Sequence, residues 1–174
     1  MDIRIWFGGI AACLTYLDFF SISAQRSALN TVASCCYHMN SDEFKFVVDS
    51  LPLLAQRLSP SAVDKKSVES VCLCFTRLVD NYVCDSSKLQ LIAANQMLEN
   101  VQQLLVVSPP LLSTTTFVCV IRMLHLMCAR CPQLAVHLIR NSVSETLRFL
   151  LLGTVEQNAP DIEVRWFRLN SDNV

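Results

Sequence analysis

Glycine is almost missing from this 174-residue chain, which carries only Gly8, Gly9 and Gly153. A β-sandwich draws on glycine for its many tight turns, and a phosphate-cradling loop is built from it, so both are disfavoured. A surplus of positive charge is missing too. Fourteen Lys and Arg stand against fifteen Asp and Glu, and no basic cluster is longer than Lys65-Lys66. A chain that neutralises nucleic-acid phosphates carries a basic excess, so no direct nucleic-acid partner is expected. Long apolar runs are absent. Ile5–Leu17 and Leu147–Leu152 both fall short of the roughly 20 residues needed to cross a bilayer, so no membrane partner is expected. The layout of a signal peptide is also lacking. Asp2 stands in place of a basic start, and Tyr16, Asp18 and Phe19 stand where small residues would mark cleavage.

What is present is apolar. Apolar residues make up 52% of the chain and charged residues 17%, a balance that suits one well-packed domain and not a disordered segment. The nine cysteines are an odd number, and most fall inside apolar helical stretches. They are expected to act as small buried hydrophobes in a reducing compartment, the nucleus or cytoplasm, and not as a disulfide framework.

The apolar spacing is helical almost throughout. Ala28, Leu29, Val32, Ala33 and Cys36 follow the i, i+3, i+4 rhythm of one buried face. So do Val68, Val71, Cys72, Phe75, Leu78 and Val79, and then Val118, Ile121, Leu124, Met127 and Cys128. Breaks fall between these stripes, at Ser21, Ser41-Asp42, Ser59-Pro60-Ser61, Ser86-Ser87, Pro109-Pro110 and Cys131-Pro132. Pro132 is expected to open a helix, where its missing N–H costs nothing. Ser142 followed by Glu145 fits a capping box.

The segments repeat. A helix around Leu14 is followed by a break and the Gln25–Cys36 helix. One around Leu54 is followed by Lys66–Asn81, one around Val101 by Thr116–Arg130, and Leu147 begins the pattern again. The interval is close to the roughly 40–47 residues of armadillo and HEAT units. Short extra helices expected at Asp42–Asp49, Lys88–Asn95 and Gln133–Arg140 make three per unit, which favours armadillo. The expected fold is an all-α, right-handed armadillo-like superhelix of about three to four repeats. Residues 1–7 form an atypical lead, residues 8–153 the repeat domain and residues 154–174 a non-repeat tail. Repeat units stack because none buries its apolar face alone. Both ends lie mid-pattern, so the chain is expected to be a piece of a longer solenoid.

Five stretches carry a resemblance. They are Gly8–Cys36 (GGIAACLTYLDFFSISAQRSALNTVASCC), Asp42–Leu58 (DEFKFVVDSLPLLAQRL), Lys65–Asn81 (KKSVESVCLCFTRLVDN), Asn100–Pro110 (NVQQLLVVSPP) and Arg122–Gly153. Together they resemble the armadillo region of one family of HECT-type E3 ubiquitin ligases, that of the thyroid-receptor-interacting and ubiquitin-fusion-degradation ligases. Met1–Phe7 and Thr154–Val174 do not share the likeness. The resemblance implies a nuclear or cytoplasmic protein that engages ubiquitination substrates or ubiquitin. It implies that the catalytic cysteine sits in a distant C-terminal HECT domain, for which this chain has no room. None of its nine cysteines is therefore taken as the catalytic thiol.

Other chemistry is thinly represented. His125, Cys128, Cys131 and His137 are zinc-ligand types, but their spacing matches no recognised finger. Cys35-Cys36 and Cys72-x-Cys74 point apart on a helix. A nucleophile needs a base oriented beside it, and the three histidines come with no elbow or oxyanion turn. Asp42-Glu43 suits the first turn of a helix. No catalytic residue, metal or cofactor is expected. The functional candidate is a protein-binding groove along the last helix of each unit. Ser34, Arg77 and His125 are expected at equivalent positions there, accompanied by His38 and Asn81, with Arg77 placed to pair with a partner's carboxylates. The asparagine ladder of karyopherin-type armadillo proteins is missing, which disfavours transport of nuclear-localisation signals. The alternative to a ligase scaffold is a free-standing armadillo adaptor without ligase activity.

Overall fold

The structure, a computed structural model, describes residues 10–59 and 64–156. The expected lead at residues 1–7, the Gly8-Gly9 pair, the Pro60-Ser61 break and residues 157–174 of the tail lie outside that range. Residues 10–15 form α1. There follow α2 (Ile22–Tyr37), α3 (Leu51–Gln56), α4 (Lys65–Tyr82), α5 (Ser86–Ile92), α6 (Met97–Val106), α7 (Thr114–Arg130), α8 (Pro132–Arg140) and α9 (Val143–Glu156). No strand occurs among the described residues.

Short polar side chains start the long helices. The Ser21 hydroxyl accepts the Ala24 N–H, the Asp64 carboxylate the Ser67 N–H, and the Ser113 hydroxyl the Thr116 N–H. Each occupies one of the four N–H groups that a helix start leaves unpaired. Asp85 caps α5 in the same way. Pro132 opens α8 as expected.

Two local expectations are corrected. Asp42–Asp49 is not an α-helix but two 3₁₀ turns, Ser41–Phe46 and Val48–Ser50. Side chains three apart eclipse in a 3₁₀ turn, and this brings Phe44 and Val47 onto one buried side. The carboxylate of Glu43 accepts the Asn40 N–H at 2.6 Å and ties the segment's start. At Ser142 the backbone is left-handed (φ 59°), whereas a capping side chain works from an extended residue. Its carbonyl, not its hydroxyl, takes the Glu145 and Thr146 N–H groups. Asn95 and Gln96 are left-handed as well, so the turns into α6 and α9 use non-glycine residues in the conformation that glycine enters most easily. Helix α9 runs through Gly153 to Glu156.

The helices stack in two rows. In one row α4 lies against α2 and α7 against α4; in the other α6 lies against α3 and α9 against α6. The short α5 packs on α4, and α8 packs on both α7 and α9. Leu54, Leu58, Phe75, Leu78, Leu89, Met97 and Met127 are among the fully buried side chains of the core. Side-chain hydrogen bonds between units join residues 38 to 47 apart in sequence, from Arg26–Asp64 to Lys88–Ser41. That interval is one repeat, and bonding confined to nearest neighbours defines a solenoid. The chain is an all-α solenoid.

Candidate protein-binding face

The N-caps Ser21, Asp64 and Ser113 give α2, α4 and α7 a common register. Residues 11 after the cap, Val32, Phe75 and Leu124, all point into the core. Residues 9, 13 and 16 after the cap form the opposite, outer ridge: Asn30, Ser34 and Tyr37; Leu73, Arg77 and Asp80; Arg122, Leu126 and Ala129. Each of these nine is exposed or half-buried. The step of 3.6 residues per turn puts them on one stripe.

This register sorts the five expected groove residues. Ser34 and Arg77 each follow their cap by 13 residues and share the ridge. His125 follows Ser113 by only 12, so it stands one step round the helix, and Leu126 takes the ridge position. The counterparts of His125 are Ala33 and Thr76, both buried. His38 and Asn81 are 17 residues beyond their caps. On α4 that position faces the preceding unit, for the Asn81 amide donates to the Cys36 carbonyl at 2.6 Å. The His38 ring stands edge-on to Tyr37, with centroids 4.9 Å apart.

The ridge is laced by contacts between units. The Arg77 guanidinium lies 5.5 Å from the centre of the Tyr37 ring, a cation–π distance. The Arg122 guanidinium pairs with Asp80 at 2.9 Å, and this carboxylate raises the arginine's pKa above its usual value. The Ser34 hydroxyl is occupied by the Asn30 carbonyl at 2.9 Å. Tyr37 is 63% exposed, although it is large and aromatic. Among the described residues Arg77 has no carboxylate partner, so its charge stays available beside an exposed ring. Tyr37, Asp80 and Arg122 were not among the sequence candidates. Tyr37 and Asp80 lie one turn past Ser34 and Arg77, and Arg122 one turn before Leu126, a pattern that emerges only when the helices are aligned on their caps.

The thiols and histidines do not converge. No group of three or more His, Cys, Asp or Glu among the described residues is placed to hold a metal ion. Of the four zinc-type residues, Cys131 is buried beside the Gln90 amide, and His137 bonds Glu99 at 2.9 Å. Burial pushes the Cys72 thiol up to about 12, and Cys74, in contact with the Cys36 thiol, is raised well above its usual value. Neither is a thiolate at neutral pH. The nine cysteines are unpaired; against the expectation of burial only four are buried, four are half-buried, and Cys84 stands exposed just past α4. No described helix is long and apolar enough to cross a membrane.

Over 146 residues, 84% of its length, the chain is 58% identical to the E3 ubiquitin-protein ligase TRIP12 of Danio rerio. It is 31% identical over 158 residues to the E3 ubiquitin-protein ligase UPL3 of Arabidopsis thaliana. The chain is homologous to a segment of these E3 ubiquitin-protein ligases. A third relative, UPL4 of Arabidopsis thaliana, is 37% identical over 73 residues. The chain spans only 7%, 8% and 5% of the three relatives' lengths. No protein-family model matches it, nor does any solved structure. The ridge of α2, α4 and α7 combines exposed aromatic area with an available cation.

Proposed function

We propose that this chain is an armadillo-type protein-binding scaffold of a HECT-type E3 ubiquitin ligase, working in the nucleus or cytoplasm. Its ridge holds a ubiquitination substrate or ubiquitin, while the thioester-forming cysteine belongs to another part of the ligase. The Tyr37–Arg77 pair carries this reading. Exposed tyrosine and arginine are the residue types that dominate protein interfaces, and homology to E3 ligases supplies the pathway. Arg77 would take a carboxylate of the partner, and the Tyr37 ring would cover the partner's apolar stem.

The reading is tested by competition. Excess purified chain is added to a ubiquitination reaction driven by the full-length Danio rerio ligase. The wild-type chain is expected to slow substrate ubiquitination. Arg77→Glu and Tyr37→Ala chains, equally folded, are expected to slow it at least tenfold less well. A wild-type chain that leaves the reaction untouched would rule the reading out.

A further inference from the structure

Glu99 of α6 meets His137 and Asn141 across the seam between consecutive units. His137 lies on α8, and Asn141 ends that helix four residues on, which puts the two side chains on one face. The Asn141 N–H donates to the His137 carbonyl at 3.0 Å and fixes this spacing. The three polar groups close into a triangle. Nε2 of His137 is 2.9 Å from Oε1 of Glu99, and the Asn141 amide is 2.8 Å from that Nε2 and 3.2 Å from that Oε1. His137 and Asn141 are exposed and Glu99 is half-buried, so solvent reaches all three.

Hydrogen bonding alone leaves one edge of this triangle opposed. If Nε2 carries a proton, it donates to Glu99 but faces the amide N–H groups of Asn141, donor against donor. If the proton is on Nδ1, Nε2 accepts from Asn141 but turns its lone pair on the Glu99 carboxylate, acceptor against acceptor. Turning the amide by half a turn presents its oxygen instead, and this opposes the carboxylate oxygen at 3.2 Å. A cation resolves every case, because the imidazole nitrogen, the carboxylate oxygen and the amide oxygen can all point lone pairs at one centre. The edge lengths suit it. Donors roughly 2.1 Å from a metal stand about 3.0 Å apart on one face of an octahedron and about 3.4 Å apart in a tetrahedron. The observed edges of 2.8, 2.9 and 3.2 Å are those of the octahedral face.

We infer that Glu99, His137 and Asn141 form a site for one divalent first-row transition ion, with the remaining coordination positions left to water. The imidazole selects ions of the Ni²⁺ and Zn²⁺ type over Mg²⁺ and Ca²⁺, which prefer oxygen alone. The site shares only His137 with the zinc-type set His125, Cys128, Cys131 and His137, and its third donor is an amide, not a thiol. Its ligands are 38 and 42 residues apart in sequence, so a bound ion ties α6 to α8 across one repeat. This inference does not depend on the ridge reading, since the ridge belongs to α2, α4 and α7.

The untagged 174-residue chain is titrated with NiCl₂ by calorimetry, with MgCl₂ as the control. One Ni²⁺ per chain is expected to bind, and Mg²⁺ is not. His137→Ala and Glu99→Gln should each weaken Ni²⁺ binding at least tenfold. Asn141→Asp, which puts a charged oxygen in place of a neutral one, should tighten it. A parallel titration with CoCl₂ reads the donor set. The weak visible bands of a six-coordinate nitrogen and oxygen site are expected, without the near-ultraviolet charge-transfer band of a thiolate ligand. Absence of saturable Ni²⁺ binding overturns the inference, and so does equal affinity in His137→Ala. A thiolate band that disappears in Cys84→Ser also overturns it, since the exposed thiol would then hold the ion. Circular dichroism checks the fold of each variant. If His137→Ala fails to fold, Asn141→Asp decides, and unchanged or weaker binding there overturns the inference.

Discussion

Asp64 serves two helices with one carboxylate. It accepts the Ser67 N–H at 3.0 Å, which caps α4, and it accepts Arg26 Nε from α2 at 3.0 and 3.1 Å. The Arg26 bond, chiefly, holds this carboxyl well below the usual carboxylate range, against the opposing effect of burial. A helix start and the seam between two repeats therefore depend on the same side chain.

Replacing Asp64 separates the two roles. Asp64→Ala should cost about 1–2 kcal/mol, the range for a lost N-cap with its attached charge pair. Asp64→Ser keeps a capping oxygen and loses only the clamp on Arg26, so it should cost less than half as much. Equilibrium urea unfolding of the three proteins measures both values. Equal losses would show that the clamp on α2, and not the cap, holds α4 in place.

Stability should fall in acid for the same reason. The folded-state pKa values of Asp64, Asp18 and Asp85 all lie below their ordinary values. Between the unfolded and folded values the unfolded chain binds more protons, so stability rises with pH in that window. The contribution is present above about pH 4, the ordinary Asp range, and is lost as pH falls through the depressed values. Thermal melts from pH 6 to pH 2 should show a decline beginning near pH 4. That decline should be shallower in Asp64→Asn, which has no proton to take up there.

Leu54→Asp should abolish the cooperative fold. Leu54 is fully buried in an apolar core. An unpaired carboxylate there costs at least several kcal/mol, a large part of the stability of a domain this size. Circular dichroism during heating checks it. A melt matching wild type would mean that α3 does not pack as described.

Arg77→Glu should behave in the opposite way. The side chain is partly exposed and rests over the Tyr37 ring, so unfolding free energy should change by no more than about 1 kcal/mol. Competition with the full-length ligase should nevertheless be lost. A large drop in stability would place Arg77 among the structural residues.

Much of the architecture was legible in the chain itself. The stripes Ala28–Cys36, Val68–Val79 and Val118–Cys128 marked α2, α4 and α7 to within a few residues, because burial at a period of 3.6 can be met only by residues of the right type at the right spacing. The failures were local. Asp42–Asp49 has helical spacing, but so short a segment can close as 3₁₀ turns once Phe44 and Val47 find the core. Ser142 and Glu145 have the right types for a capping box, yet a left-handed φ at Ser142 moves the bond from hydroxyl to carbonyl.

The outer ridge was only half legible. The likeness to armadillo stacks pointed to the last helix of each unit, and Ser34 and Arg77 share one register on those helices. The sequence placed His125 beside them, one residue out, and a slip of one residue turns a side chain by about 100°. The sequence alone established an all-helical repeat of about 40–47 residues, because a hydrophobic period and the residues that interrupt it are properties of the chain. Which side chains of each helix face the core, the neighbouring unit or solvent was set by how α2, α4 and α7 lie against one another. That depends on cap positions and on contacts one repeat apart, such as Arg77 with Tyr37 and Asp64 with Arg26, which come together only when the units stack.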